Sequence, residues 1–137
     1  MSTYSIAEAA DASGLTPHTL RYYERDGLML REVERAGSGH RRYSDADLQW
    51  IHLLTCLRAT GMPIREMRRY AEMVRADDGN EQDRLEMLRA HRRVVLAQLA
   101  EITEHLGAID RKIGIYVDRV EARGLTSSAL EGVDSPA

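Results

Sequence analysis

The chain is 137 residues long, enough for one ordinary domain or a small domain with a long helix, and this excludes a multidomain enzyme. With 43% apolar and 30% charged residues, and no run approaching about 18 consecutive apolar positions, it reads as a soluble folded chain with no membrane partner. The net charge of −3 hides an asymmetry, +1 over residues 1–75 and −4 over residues 76–137, so a polyanionic partner requires arginines gathered on one face of the first half.

The single cysteine, Cys56, excludes an internal disulfide and a Cys-rich zinc site. The opening Met1-Ser2-Thr3-Tyr4-Ser5 lacks the basic-then-apolar layout of a signal peptide, so a reducing cytoplasm is the expected compartment. Ser5-Ile6-Ala7-Glu8 is a capping box that opens a helix running to about Ser13. Gly14-Leu15 turns the chain into Thr16-Pro17, an N-cap followed by a favourable first helical residue, and a second short helix ends near Gly27. Two short helices joined by such a turn match a helix-turn-helix. Leu28 to Arg31 and Arg41 to Ser44 flank Gly37-Ser38-Gly39 and read as the arms of a two-stranded wing.

Ser44 caps a third helix through Leu48, Trp50, Ile51, Leu54 and Leu57 that stops at Gly61, and Pro63 starts a fourth through Ile64, Met67, Ala71 and Val74. Asp77-Asp78-Gly79-Asn80 is a linker whose Asn80 is placed to cap the next helix. From there apolar residues fall at Val95, Leu99, Ile102, Leu106, Ile109, Ile113, Tyr116 and Val120, spaced alternately by four and three, which is a heptad seam. A helix from about residue 81 to 120 is roughly 60 Å long, too long for the preceding domain to cover, so a partner helix is expected on it. Residues 124–137 are rich in Gly, Ser and Ala and are expected to be disordered.

On a helical wheel His18, Arg21, Tyr22 and Arg25 fall within an arc of about 100°, opposite Leu20. Such a donor-rich face suits the major groove, where Arg pairs with guanine, although a solvated helix face has the same composition. His40-Arg41-Arg42-Tyr43 adds cations and an aromatic beside the wing; alternation along the strand lets Arg42 face phosphate or the minor groove while Arg41 and Tyr43 face the other way, one of them into the domain. The helix-turn-helix and wing together nominate Thr16, His18, Thr19, Arg21, Tyr22, His40, Arg41, Arg42 and Tyr43 as DNA-binding residues. The five histidines (His18, His40, His52, His91 and His105) form no close ligand pair, so no metal or other cofactor is expected. Ser5, Asp45 and His52 do not make a hydrolytic triad, because Ser5 and Asp45 already serve as helix starts; no enzyme is expected.

Four segments together resemble the successive signatures of the MerR family of bacterial transcription regulators: Tyr4-Ser5-Ile6-Ala7-Glu8; Leu20-Arg21-Tyr22-Tyr23-Glu24-Arg25-Asp26-Gly27-Leu28; Gly39-His40-Arg41-Arg42-Tyr43-Ser44; and Gly61-Met62-Pro63-Ile64-Arg65-Glu66-Met67. The resemblance covers residues 4 to about 76 closely and the rest by architecture only. It implies a mainly α fold: a winged helix-turn-helix domain with connecting helices over residues 1–76, a linker at 77–80 and a dimerisation helix at 81–123 forming an antiparallel coiled coil. It also implies a homodimer on palindromic double-stranded promoter DNA, with transcription switched by bending and untwisting that DNA for RNA polymerase. The seam residues Val95, Leu99, Ile102, Leu106, Ile109, Ile113 and Tyr116 would then carry dimerisation.

Within the family, Thr55-Cys56-Leu57-Arg58 is similar to the thiol- and aldehyde-responsive branch, which carries a lone cysteine at this point of the third helix. Cys56 falls on the side of His52, where a histidinium one turn away would favour the thiolate, so a small electrophile is one candidate inducer. The residue is equally explained as a small side chain at a helix crossing. The chain also fits a regulator with no ligand, a sensor of a non-covalent ligand held near Tyr70, His91 and Tyr116, and a coiled-coil adaptor that docks protein.

Overall fold

The computed structural model describes residues 3–31, 34–37, 39 and 41–131. The elements in chain order are β1 (Thr3–Ser5), α1 (Ile6–Ser13), α2 (Pro17–Arg25), β2 (Glu34–Arg35), β3 (Arg41–Ser44), α3 (Asp45–Ala59), α4 (Ile64–Ala76) and α5 (Glu81–Glu131). The chain divides into two units, Met1–Val95 and Leu96–Ala137.

Local chemistry accounts for the starts of α1, α2 and α3. The Ser5 hydroxyl accepts from the Glu8 amide at 3.1 Å and the Glu8 carboxylate accepts from the Ser5 amide at 2.9 Å, so two of the donors left without an intrahelical partner at this end are paired. That pairing, led by the backbone hydrogen bond from Ser5, holds the Glu8 carboxyl below its ordinary pKa. Gly14 closes α1 with a φ of 73°, a left-handed conformation that costs glycine little, and Leu15 N donates back to Ala10 O at 3.1 Å. Thr16 then caps α2, its hydroxyl accepting from Thr19 N at 3.1 Å, with Pro17 in the first turn. Ser44 and Asp47 form a second reciprocal capping box at the start of α3.

The core of the first unit gathers Ala9, Leu20, Tyr23, Leu28, Ile51, Leu54, Met62 and Met67, all at or below 5% exposure. Trp50 stacks on Tyr70 with ring centroids 5.7 Å apart and planes 11° from parallel, and its indole N–H donates to Leu28 O at 2.7 Å.

The sheet differs from the expected two-stranded wing. It has three antiparallel strands in the order β1-β3-β2, with Tyr4 opposite Tyr43 and Glu34 opposite Arg42. The first arm of the wing lies at residues 34–35, not 28–31. Leu28 and Met29 are core residues, and the carbonyls a ladder would need are already taken: Trp50 donates to Leu28 O, and Arg75 donates to Gly27 O at 2.8 Å and Met29 O at 2.7 Å. Asn80 stands at the start of α5, its carbonyl accepting from Arg84 N at 3.1 Å, but its side chain makes no cap among the described residues: Oδ1 is left without a partner while Nδ2 donates to Met73 O at 2.9 Å and ties the linker to α4. α5 itself continues past the expected end near residue 123, through Gly124, to Glu131. The tail expected at 124–137 is thus helical up to that point, and its remainder, 132–137, lies outside the described residues.

Candidate nucleic-acid interface

α2 is the second helix of the helix-turn-helix, and its two faces separate sharply. Leu20 and Tyr23 are buried at 1% and 4%, anchoring it on the core, while His18, Arg21 and Arg25 are exposed and Tyr22 is half-buried. Burial raises the Tyr23 phenol above its ordinary pKa, so it stays a neutral hydrogen-bonding group. The Tyr22 and Tyr23 rings lie 6.2 Å apart at 51°; Tyr23 belongs to the core and the half-buried Tyr22 packs against its edge. Thr16 and Thr19 are joined through their hydroxyls at 3.0 Å, so both take part in the cap that orients the start of α2.

The far end of α2 is clamped by α4. Arg68 donates from Nε to Asp26 O at 3.1 Å and pairs through Nη2 with the Asp26 carboxylate. The arginine hydrogen bond is the main reason the Asp26 carboxyl sits below its ordinary pKa, with the charges of Arg68 and Arg25 adding to it. A carboxyl depressed in the fold contributes stability above its unfolded pKa of about 3.9 and loses that contribution as pH falls through the lower folded value. Asp26→Asn is therefore expected to be less stable than the wild type at pH 6, with the gap in urea midpoint closing toward pH 2–3; a gap that stays constant would show that the pair makes no ionic contribution.

The wing is tied to this framework at several points. Arg35 reaches Glu24 on α2, Nη2 to Oε1 at 3.5 Å, and also donates to Gly39 O at 3.1 Å. Arg42 donates to Thr3 Oγ1 from Nη2 at 2.9 Å and from Nε at 3.3 Å, and to Thr3 O at 3.2 Å, stitching β3 to β1. Tyr43 is 1% exposed and belongs to the core, which corrects its placement among the DNA-binding residues. The reason is strand alternation: the ring that faces inward opposite Tyr4 cannot also face a groove. His40 lies outside the described residues, and Arg41 enters as a paired residue of β3.

Cys56 is exposed on α3, with Sγ 3.7 Å from Nε2 of His52 one turn earlier. The Cys56 carbonyl accepts from the Thr60 hydroxyl at 2.7 Å, and that same hydroxyl lies 2.8 Å from Nε2 of His91 on α5. Tyr70, expected beside a ligand cleft, is buried against Trp50 instead. Among the described residues no group of three His, Cys, Asp or Glu side chains is placed to hold a metal, and no helix is long and apolar enough to cross a membrane. The residues missed at the sequence level are Arg31, Arg68 and Arg75. Their guanidinium groups look like solvated surface charges in the sequence and become structural only in the fold, Arg68 and Arg75 because α4 meets the end of α2 and the loop after it, Arg31 because it reaches Ser44 and Asp47 at the start of α3.

Helix-turn-helix, three-stranded wing and long C-terminal helix together define a DNA-binding regulator. A family model described as MerR HTH family regulatory protein matches residues 4–74, and one described as MerR, DNA binding matches residues 48–112. The chain belongs to the MerR family. A helix-turn-helix transcriptional regulator of Haemophilus influenzae is 38% identical over 114 residues, covering 83% of this chain and 84% of that protein. The regulator AdhR of Bacillus subtilis is 40% identical over 74 residues, 54% of this chain and 52% of its own. The crystal structure of HiNmlR, described as a MerR family regulator lacking the sensor domain and bound to promoter DNA, superposes with a TM-score of 0.78 at 36% identity, covering 90% of this chain and 96% of that one.

Proposed function

We propose that this MerR-family transcriptional regulator acts as a homodimer joined through α5. It sets its two α2 helices into successive major grooves of a palindromic promoter site and switches transcription by bending and untwisting that DNA for RNA polymerase. The observation that carries the dimer is the seam. Leu99, Ile102, Leu106, Ile109, Ile113 and Tyr116 are each more than half exposed on one protomer, a continuous apolar stripe at heptad spacing that water does not favour. Val95, at the start of the stripe, is half-buried. A two-fold dimer reads a two-fold site, with half-sites about 34–36 Å apart.

The exposed α2 face supports base reading by Arg21. Titrating the protein with promoter-sized duplex DNA at two salt concentrations tests the DNA reading against a protein-docking one, since phosphate contacts impose a steep salt dependence. Arg21→Ala is expected to cost about 1–3 kcal/mol and to relax preference at one operator position. Full affinity with unchanged preference would remove Arg21 from the groove.

Response to aldehyde or thiol stress is proposed to run through Cys56. An aldehyde adds across the thiol, sulfur to the carbonyl carbon and proton to the carbonyl oxygen, which needs no further reactant. The link from the Cys56 carbonyl through Thr60 to His91 supports transmission, because a shift at this turn of α3 bears on the first turns of α5. A change in the spacing of the two α2 helices would alter DNA distortion without releasing the DNA. In a reporter strain Cys56→Ser is expected to bind DNA as the wild type does while losing the aldehyde response. A serine variant that responds normally would sink the thiol route.

A further inference from the structure

Beside the exposed face of α2 the structure has an open cavity of about 460 Å³ whose walls carry four arginines, Arg21, Arg25, Arg31 and Arg75, and a single carboxylate, Glu24. Glu24, which also faces Arg35 at 3.5 Å, is one carboxylate against the four arginines of the lining. Arg75 is held in place from α4: both its hydrogen bonds, to Gly27 O and Met29 O, use Nη1, which leaves the rest of its donor fork for another acceptor. Arg31 is positioned by Ser44 Oγ, 3.2 Å from Nη2, and by Asp47 Oδ1, 3.7 Å from Nε, yet its side chain remains 64% exposed. Arg21 and Arg25 lie one turn apart on α2 and have no ion pair among the described residues. Holding four guanidinium groups around one opening costs mutual repulsion, which an anion entering it would relieve.

We propose that this cavity is a phosphate-binding cradle in which Arg25, Arg31 and Arg75 grip one phosphate group beside the recognition helix. The planar donor fork of arginine suits phosphate oxygens, and Arg75, fixed by two carbonyls, is ready to bind without further ordering. Because α2, the loop after it and α4 each contribute, a phosphate seated here also fixes the angle of α2 against its supporting helix. The DNA backbone is one source of that group and free phosphate the other. The first rests on the reading of α2 as the groove-facing helix.

The test uses the intact protein and a mixed-sequence duplex of about 30 base pairs, since backbone contacts are independent of sequence. Arg25→Gln and Arg25→Gln/Arg31→Gln are compared with the wild type and with Arg93→Gln, which removes a charge from an exposed site on α5. With the DNA backbone as source, the slope of log affinity against log salt falls by about 1.8 in the double variant, about 0.9 for each of the dimer's two cradles. The wild type then loses roughly 12-fold more affinity than that variant between 50 and 200 mM salt, while Arg93→Gln keeps the wild-type slope. In the second arm inorganic phosphate is titrated calorimetrically into the DNA-free protein. Unchanged DNA slopes with phosphate binding that the double variant loses assign the cradle to a free anion. Unchanged slopes together with no phosphate binding, or binding that the variants retain, overturn it. If the wild type does not bind duplex DNA, the DNA reading fails by itself and the phosphate arm alone decides the cradle.

Discussion

Leu99→Asp/Leu106→Asp is expected to sediment as a monomer and to bind an operator with the weak affinity of a single half-site. These side chains are 57% and 52% exposed in the single chain, so its own fold does not need them, and the proposed partner helix would gain most from covering them. Each Leu buried in a coiled coil contributes about 1.5–3 kcal/mol, and every position counts twice across a two-fold interface, so the double change removes several kcal/mol before the repulsion of buried carboxylates is added. Trp50, the single tryptophan, reports the fold of the first unit independently through its contact with Tyr70. Its fluorescence and unfolding midpoint are expected to stay close to wild type. An intact dimer would mean that the seam is misread. Loss of the Trp50 signal would mean that dimerisation and folding are one step.

Tyr43→Ala is expected to destabilise the first unit by about 3–5 kcal/mol, the cost of removing a large ring from a close-packed interior. Set against a total stability of about 5–15 kcal/mol for a domain of this kind, that is a large share of what holds the fold, and at the lower end of that range it leaves much of the protein unfolded. Tyr43 is 1% exposed and packs in the core with Leu20, Leu28 and Ile51. Tyr43→Phe keeps the ring and is expected to retain most of the stability. Urea titration followed by Trp50 fluorescence distinguishes the roles. An alanine variant as stable as wild type but weak on DNA would return Tyr43 to the groove-facing residues.

Much of the architecture is written in short local signals, and those were legible. The capping box at Ser5 and Glu8, the Thr16-Pro17 start and the Gly14 turn each act within five residues, so the sequence carries the whole interaction. The donor face of α2 follows from helical periodicity alone. The wing was legible only in part, because strand pairing is non-local. β1 is three residues long and pairs with a strand about forty residues away, and nothing in Thr3-Tyr4-Ser5 announces it. The Leu28–Arg31 segment is apolar enough to read as a strand, but the fold spends its carbonyls on Trp50 and Arg75.

The sequence by itself determined the family, the order of the helices, the outward face of α2 and the heptad seam of α5, because each depends on residue identity at fixed short spacing. Only the tertiary structure decided that Tyr43 is core and that Arg68 and Arg75 reach from α4 to hold the end of α2 and the loop after it. It alone gathered Arg21, Arg25, Arg31 and Arg75 around one cavity. The physical reason is the same in each case. A hydrogen bond or a cluster of charges between residues some forty or fifty positions apart has no periodicity to betray it, and exists only once burial of the apolar faces has fixed which elements lie side by side.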